Sequence, residues 1–466
     1  MWPDPKRVLG TSLLLAVLLF LLHRSLLAQP LPQDPISKMS LLIAEHVSQA
    51  RRSDGTYLSS LAAKEASWHA LAVSSAAKGI KISASAGSFY ANRTEENRGS
   101  LGASETQREF SSSIASLTAR QPLYRKKDLI AIEQAAASYQ ASEAALKASE
   151  HTLFGRVFMS WIEVLTARDL LQLSQYALEQ AAVIREEMER RVQAGEVSID
   201  QLGIEISRFQ QRQSDMLDAS ARLQLSERAL SDLAGPQAIV PIGLSLESVA
   251  PNPLPNLSAR QVAELVEQQN PELLAARYLE EQARLERDRM LAERYPTLDL
   301  YASVSRGEND TVSFIRDESR IGLQLNVPLY TSGGIESAVA QADAQFRRSQ
   351  ANVQALLVKL RSQAIIAMTK VSVSLVKIDA TRVHVEATGL RVDAVRKGFL
   401  AGVKTRGDIA RAESEYIQAR QRRANEMLEY ASGWTGLVVA TSQIDPIFLE
   451  GMPPAIQLPV RMVSSP

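Results

Sequence analysis

Apolar and polar residues alternate in two short runs of the chain, at residues 298–305 and 320–327. A period of two is typical of a β-strand with one apolar face and one polar face. The apolar positions that share a face are Leu298, Leu300, Ala302 and Val304 in the first run and Ile321, Leu323, Leu325 and Val327 in the second. The opposite faces, where we expect water, carry Asp299, Gln324 and Asn326. A two-stranded hairpin cannot bury its own apolar face, so this face must meet further strands, a layer of helices or lipid.

The first half of the chain has the same order of patterns as the second half. A helical pattern over 38–78 is followed by a strand at 80–90, a polar loop at 91–108 and a weaker strand at 110–119. A long helical pattern then runs to Gln193. The second half repeats this order, with a second polar loop between its two strands.

Short motifs recur at a nearly constant shift along the sequence. Pro122-Leu123-Tyr124 returns 206 residues later as Pro328-Leu329-Tyr330, and Ala194-Gly195 returns 207 residues later as Ala401-Gly402. Each half therefore reads helix, strand, loop, strand, very long helix, Ala-Gly turn and helix, which indicates an internal duplication. The predicted fold class is mainly α, with a small β part that is repeated.

The predicted helices are too long for a globular core. The pattern between residues 334 and 400 would span ~100 Å at the α-helical rise of 1.5 Å per residue. Two shorter helices, at about 198–234 and 258–294, would together span a similar length, so a stacked pair could lie beside one long helix. Alanine-rich faces such as 135–145 suit the close packing of helices in a coiled-coil wall.

Each long helix is predicted to reverse direction at its Ala-Gly. Gly195 and Gly402 can adopt a positive φ without a Cβ penalty, which suits the end of a helix. Ser198 and Thr405 follow, each with an amide or acid three residues later, and this spacing is typical of a capping box. Two helical hairpins are therefore expected, with tips at these glycines.

Composition narrows the class of protein. The 466 residues contain 52 basic and 52 acidic side chains and no cysteine, which gives no basic field for nucleic acid and rules out disulfides, thiolate metal sites and a lipid-anchored N-terminal cysteine. Residues 1–28 have the basic start, apolar run and small-residue end of a secretory signal peptide, an interpretation that we favour over a membrane anchor. No other stretch reaches the ~18 apolar residues of a membrane helix.

Three motifs together carry a resemblance to a known family. They are Asn270-Pro271-Glu272-Leu273, Tyr295-Pro296-Thr297-Leu298, and Asn326-Val327-Pro328-Leu329-Tyr330 followed by Gly333-Gly334. Their order and spacing resemble the signature of TolC-type outer-membrane efflux proteins, the outer-membrane factors, over nearly all of the chain after residue 38. The domain boundaries that follow are a signal peptide at 1–28, a first repeat at 29–234, a connector at 235–257, a second repeat at 258–440 and a C-terminal tail at 441–466.

The resemblance implies an architecture and partners. Four strands cannot close a barrel alone, and the family solution is a homotrimer with a twelve-stranded β-barrel in the outer membrane, continued by an α-helical barrel in the periplasm. The implied partners are a periplasmic adaptor (membrane fusion) protein, through it an inner-membrane transporter, and outer-membrane lipid. The strand residues that would face this lipid are Leu298, Leu300, Ile321, Leu323 and Leu325. Tyr124 and Tyr330 either lie at the membrane interface or pack on neighbouring helices.

The resemblance also implies functional roles at the hairpin tips. The residues assigned to the periplasmic tip and its adaptor contact are Arg190, Gly195, Ser198, Arg396, Gly402 and Thr405. Asp408, with Asp200 near the corresponding place in the first repeat, falls where the family often has an acid that lines the closed entrance. Asp408 is also the third residue of a predicted capping box, so an aperture residue and a plain cap remain two interpretations of it.

No residues are spaced as an enzyme site requires. The five histidines are scattered without metal-ligand spacing, and no phosphate-binding loop or nucleophile elbow is present. We therefore expect no enzyme activity, no cofactor, no metal and no nucleic-acid partner. The leading functional hypothesis is the exit duct of a type I protein secretion system. The alternatives are a drug or metal efflux duct of the same family, or a coiled-coil envelope protein that forms no channel.

Overall fold

The computed structural model of the chain describes residues 35–99, 102–242, 244, 257–309 and 314–444. The predicted signal peptide, most of the predicted C-terminal tail and part of the predicted connector lie outside these residues. Those three predictions therefore stay predictions.

The described residues form helices and strands in two parallel series. The first half contains α1 (Pro35–Ser53), α2 (Gly55–Ala76), β1 (Lys81–Gly99), β2 (Gly102–Tyr124), α3 (Lys126–Gln193) and α4 (Ile199–Ala234). The second half contains α5 (Ala259–Gln269), α6 (Pro271–Ala292), β3 (Thr297–Asn309), β4 (Phe314–Asn326), α7 (Gly334–Leu400) and α8 (Arg406–Thr441).

The lengths of matching helices confirm the predicted repeat. The long helices α3 and α7 have 68 and 67 residues, and the helices after the tips, α4 and α8, have 36 residues each. The helices before the strands, α2 and α6, have 22 residues each. Helix α3 packs along α2, α4, α6 and α8, whereas α7 packs along α5, α6 and α8. The predicted order of elements is therefore correct in both halves.

Two helices that we predicted as continuous are each broken in two. The first break is at Asp54, whose side chain accepts a hydrogen bond of 2.8 Å from the backbone N–H of Tyr57 and so starts α2. The second is at Asn270, because the following Pro271 disfavours the helical conformation at the residue before it. Asn270 has ψ 119° and caps α6 by accepting hydrogen bonds from the backbone N–H groups of the second and third residues that follow it.

The strands are longer than their sequence pattern predicted. The predicted polar loops at 91–108 and 306–318 are largely strand, because β1 continues to Gly99, β2 begins at Gly102, and β3 and β4 extend to Asn309 and from Phe314. The sequence of these outer parts is mostly polar and lacks a sustained apolar alternation, and the antiparallel backbone ladder continues through them.

The four strands form one antiparallel sheet in the order β1-β2-β3-β4. The order follows the sequence, so β2 and β3 join the two repeats at the centre of the sheet. In the described residues, β1 and β4 pair on one side only and form its two edges.

The core with bulky side chains lies where α1 packs against α3 and α4. Trp161 of α3 is fully buried there, and its indole N–H donates a hydrogen bond of 2.8 Å to Nδ1 of His46. Nearer the sheet, α3 packs through small residues, with Ala137, Ala141 and Ala144 buried. Small side chains let helix axes approach closely, as predicted for a wall of helices. None of the helices in the described ranges combines the length and hydropathy that a membrane span requires.

Candidate functional site: the sheet face, its junction with the helices and the hairpin tips

One face of the sheet is an apolar band. The register of β3 and β4 places Leu298 opposite Leu325, and Leu300 opposite Leu323, and because side chains alternate along a strand all four lie on the same face. Leu323 and Leu325 are each 64% exposed and Ile321, in the same row, is 79% exposed. The structure thus brings the five strand residues singled out from the sequence onto one face, where the three of β4 are exposed and the two of β3 are half-buried.

The band continues across the first repeat. Ile82 of β1 is opposite Ala119 of β2, and Leu117 of β2 is opposite Val304 of β3. Ile82, Leu117 and Val304 are all more than half exposed. All four strands therefore contribute to the apolar face, and none of the helices that the structure describes covers it.

Asp299 does not face water as predicted. Its side chain is 2% exposed and lies between two arginines on the polar face of the sheet. Arg125 donates from Nε to Oδ1 at 2.8 Å and from Nη2 to Oδ2 at 2.6 Å. Arg120 donates from Nε to Oδ2 at 3.0 Å. The two guanidinium groups therefore take the place of water around this carboxylate. We call Asp299, Arg120 and Arg125 the Asp299 clasp.

The clasp lies where strands become helices. Arg125 is the N-cap residue of α3, directly after β2, and Asp299 is the third residue of β3. The next residue, Lys126, places its ammonium group 4.0 Å from the centre of the Tyr295 ring, just before β3. Two consecutive residues of the first repeat therefore fix the start of β3 in the second repeat through charge-assisted contacts.

The corresponding junction of the second repeat has a different form. Seven residues, Val327–Gly333, separate β4 from α7. In this segment Leu329 is 92% exposed and Tyr330 is 86% exposed. Tyr330 therefore does not pack on any helix within the described ranges, whereas Tyr124, its counterpart, is 43% exposed and is paired with Leu298 in the sheet.

The hairpin tips have the backbone that the sequence predicted. Gly195 has φ 72° and Gly402 has φ 75°, so both end their helices in the left-handed conformation. Only one of the two predicted capping boxes forms. Thr405 accepts a hydrogen bond from the N–H of Asp408, and Asp408 accepts from the Thr405 N–H at 2.9 Å. The Asp408 carboxylate also accepts from the Thr405 hydroxyl at 2.8 Å. The bond from the Thr405 N–H, followed by the bond from this hydroxyl, holds the pKa of Asp408 below its ordinary value of 3.8.

The predicted capping box at Ser198 is wrong. Ser198 has the extended conformation of an N-cap residue, but its side chain accepts no hydrogen bond from the helix. The N–H of Gln201 instead donates to the Ser198 carbonyl oxygen at 3.2 Å. Both side chains are exposed, so water can satisfy them and nothing enforces the box. Asp200 is exposed as well.

The two arginines assigned to the tips have different surroundings. Arg190 is exposed, and its Nε lies 3.4 Å from the carbonyl oxygen of Glu186. Arg396 donates from Nη2 to the hydroxyl of Tyr176 at 2.6 Å and to Oε1 of Glu413 at 2.7 Å. Glu413 is 3% exposed, so Arg396 links α7 with α3 and α8 rather than standing free at the tip.

Contacts between the two hairpins form a series that the sequence did not reveal. Arg406 pairs with Glu187, and Arg420 donates to Oδ1 of Asp169 at 2.8 Å. Each pair joins α8 to α3 across more than 200 residues of sequence, so no local spacing could have identified it. Within the described residues, no group of His, Cys, Asp or Glu side chains could hold a metal ion.

The comparison with protein families decides what this architecture is. The family model described as "Outer membrane efflux protein" matches residues 61–236 and 262–442, well over half of the chain. The chain is a member of the outer membrane efflux protein family. The family consists of channel proteins of the outer membrane, so this efflux protein is a channel protein and not an enzyme.

Individual relatives support the same assignment. The efflux protein is 24% identical to the outer membrane protein TolC of Vibrio cholerae over 396 residues, 83% of this chain and 87% of TolC. It is 25% identical to the proteases secretion protein PrtF of Dickeya chrysanthemi over 353 residues, 71% of this chain and 73% of PrtF. It is 24% identical to the alkaline protease secretion protein AprF of Pseudomonas aeruginosa over 351 residues, 74% and 72% of the two chains.

Solved structures confirm the fold. The VceC outer membrane protein of Vibrio cholerae superposes with a TM-score of 0.70 at 17% identity, covering 86% of this chain and 95% of VceC. The CmeC outer membrane channel of Campylobacter jejuni superposes with a TM-score of 0.73 at 14% identity, covering 86% and 85%. These structures confirm the predicted mainly helical fold with a small antiparallel sheet, whereas the trimeric barrel stays a prediction. The family match confirms the predicted family and outer-membrane location, so the alternative of an envelope protein without a channel is wrong.

Proposed function

We propose that three copies of the chain form the exit duct of a tripartite export system. The observation that carries this proposal is a four-stranded sheet that, among the described residues, has two open edges and an apolar face without a covering helix. A membrane-spanning sheet must have no free edge. If β4 of each copy pairs with β1 of the next, three copies close a twelve-stranded barrel whose apolar face, with Leu323 and Leu325, meets lipid.

The helices would then continue the duct on the periplasmic side. Each long helix measures ~100 Å, which carries the tips at Gly195 and Gly402 far from the sheet. We infer that the tips meet a periplasmic adaptor protein, which connects the duct to an inner-membrane transporter. The left-handed glycines give both tips a defined shape for this contact.

Among export systems, we propose type I protein secretion. The support is the likeness to PrtF and AprF, which are named as secretion proteins for proteases. A second candidate, a drug or metal efflux duct, is supported by the family description, which names efflux.

Deletion of the gene in its own host separates the two candidates. Mass spectrometry of the culture medium would identify secreted proteins, and growth assays would measure resistance to drugs and metal ions. A secretion duct predicts that one or a few proteins disappear from the medium while resistance is unchanged. Lower resistance with an unchanged set of secreted proteins would overturn the secretion proposal and favour efflux.

A further inference from the structure

The apolar row on the outer face of β4 does not stop where the strand stops. Every second residue from position 321 is apolar and exposed: Ile321, Leu323, Leu325, Val327 and Leu329, with exposed fractions of 79%, 64%, 64%, 45% and 92%. The ladder between β3 and β4 ends with Asn326 opposite Thr297. The row therefore continues past the last paired residue and beyond the edge of the sheet.

The backbone gives this extension a fixed end. Ser332 has φ 53° and Gly333 has φ 78°, so two consecutive residues are left-handed and turn the chain into α7. A positive φ is uncommon for serine. Tyr330, three residues before Gly333, is 86% exposed. No Asp, Glu, Lys or Arg occurs from 321 to 333, so nothing charged opposes contact with an apolar phase.

The first repeat has no such extension. Tyr124 is still paired within the sheet, and α3 begins two residues later at Lys126. Leu123 and Tyr124 are 52% and 43% exposed. The same Pro-Leu-Tyr sequence thus lies within the sheet in one repeat and projects beyond it in the other.

We propose that the Val327–Gly333 segment is a membrane-interface foot, which binds the phospholipid of the periplasmic leaflet of the outer membrane. The inference rests on the proposed function, which places the apolar face of the sheet in lipid. Leu329 enters the outer part of the acyl-chain region, and the ring of Tyr330 lies among the headgroups. A tyrosine with an apolar ring and a polar hydroxyl is favoured at this depth.

Lipid fits this segment better than a second copy of the chain. Closing a barrel pairs the strand edges through backbone hydrogen bonds, and the outward side chains of β4 remain outward. Val327 and Leu329 of the foot continue the outward row, so these two side chains lie on the lipid side of the barrel. It also offers no charged group for an ion pair with a neighbouring subunit.

Depth-dependent quenching tests this directly. The chain has no native cysteine, so a single fluorescent label can be placed by substitution of one residue at a time. The variants are Leu329→Cys and Tyr330→Cys in the foot, Leu323→Cys in the sheet face and Leu400→Cys, a residue 85% exposed at the end of α7. Each labelled full-length protein is reconstituted into phosphatidylethanolamine–phosphatidylglycerol vesicles and quenched with aqueous iodide or with phospholipids brominated near the headgroup or deep in the chain.

We expect the four labels to separate by depth. The label at 323 loses most fluorescence with the deeply brominated lipid, and the label at 400 loses fluorescence only with iodide. The label at 329 loses more with the shallow bromine than with the deep bromine. The label at 330 is quenched by both the shallow bromine and iodide.

Two results would overturn the foot while leaving the duct intact. Labels at 329 and 330 that behave like the label at 400 would place the segment in water. Labels that neither lipid nor iodide quenches would place it under a neighbouring subunit. A label at 323 that lipid fails to quench would overturn the membrane placement of the sheet itself, and with it both the proposed function and the foot.

Discussion

The two repeats of the chain share their scaffold and differ at its ends. Their long helices differ in length by one residue. At the sheet, the first repeat joins strand to helix through Arg125, which is bound to the buried Asp299, whereas the second repeat uses the exposed segment 327–333. At the tips, Thr405 forms a complete capping box and Ser198 forms none.

This comparison indicates that the two repeats share the lengths of their helices. Individual side chains make their sheet junctions and hairpin tips different. A repeat of equal rods is sufficient to build a wall of helices. The fixed junction of the first repeat holds β2, α3 and β3 together at the centre of each sheet, where both repeats meet. The open junction of the second repeat lies at β4, an edge strand where another copy is proposed to join. Four predictions, made with single substitutions and their controls, test this comparison, beginning with the largest expected effect.

We expect the largest loss of transport from a substitution at the hairpin tip of the second repeat. Gly402→Val puts a β-branched residue at φ 75°, a conformation that L-residues rarely adopt. No atom lies within 4 Å of the added Cβ, so the strain comes from the backbone alone. We expect the protein to stay in the outer membrane while transport and cross-linking to the adaptor are abolished.

A matched control separates backbone strain from bulk at the tip. Gly203→Val adds the same side chain near the other tip, also into open space but at an ordinary helical φ. Transport by this variant should be unchanged. Normal transport by Gly402→Val, or an equal loss in both variants, would contradict a role for the left-handed turn.

The Asp299 clasp should dominate the stability of the sheet junction. Asp299→Ala leaves two arginines facing each other without a carboxylate. Removing one partner of a fully buried pair costs ~3–5 kcal/mol, and we expect about 2 kcal/mol here because Arg120 and Arg125 remain partly exposed. The midpoint of guanidinium unfolding in detergent measures the loss.

An exposed pair in the same sheet is the control for the clasp. Arg306 and Asp317 lie 3.8 Å apart on β3 and β4, and both side chains are about two-thirds exposed. Asp317→Ala should change stability by less than ~1 kcal/mol, as is usual for surface ion pairs. Equal effects of the two substitutions would show that the clasp is not a special support of the junction.

Removing the N-cap side chain should destabilise α8 more than α4, because only Thr405 accepts a hydrogen bond from its helix. Thr405→Ala removes a side chain that accepts from the helix and should cost about 1 kcal/mol of local helix stability. Ser198→Ala removes no such bond and should cost almost nothing. Amide hydrogen exchange in the first turns of α8 and α4 measures both effects. Similar exchange in the two variants would mean that the structural difference between the caps has no energetic weight.

The smallest effect should be that of Asp408→Ala on ion flow. Its carboxylate is bound by Thr405, and Arg411 lies 3.4 Å away, so we expect unchanged single-channel conductance in planar bilayers. A clear rise in conductance or cation leak would instead give Asp408 the aperture role. Because its pKa is lowered in the folded protein, the stabilisation from its charge is present at neutral pH. This stabilisation is lost only as the pH falls below 3.8.

Local signals in the sequence were sufficient to predict the long helices and their turns, but not the helix breaks and the full length of the strands. Helical period and the glycines at 195 and 402 predicted the long helices and their turns, because those features depend on neighbouring residues. The break at Asn270 had a local signal in the following proline, which we read only as part of a family motif. Polar strand ends had no alternating pattern to reveal them.

The same distinction applies to the site residues: those set by a local pattern were predicted, and those set by contacts distant in sequence were not. The apolar row of β4 could be read from its period of two, because one face of a strand is set by the strand itself. The Asp299 clasp could not, since its arginines lie 174 and 179 residues away in sequence. The links from Arg396 to Tyr176 and from Arg420 to Asp169 were missed for the same reason.

The central claim is that four strands per chain are completed into a barrel by other copies. Native mass measurement of the purified mature protein tests it most directly, in detergent micelles and after removal of detergent. The account predicts a trimer that requires detergent to stay in solution, because the open edges of β1 and β4 and the apolar face around Leu323 must both be covered. A monomer that remains folded and soluble without detergent would contradict it.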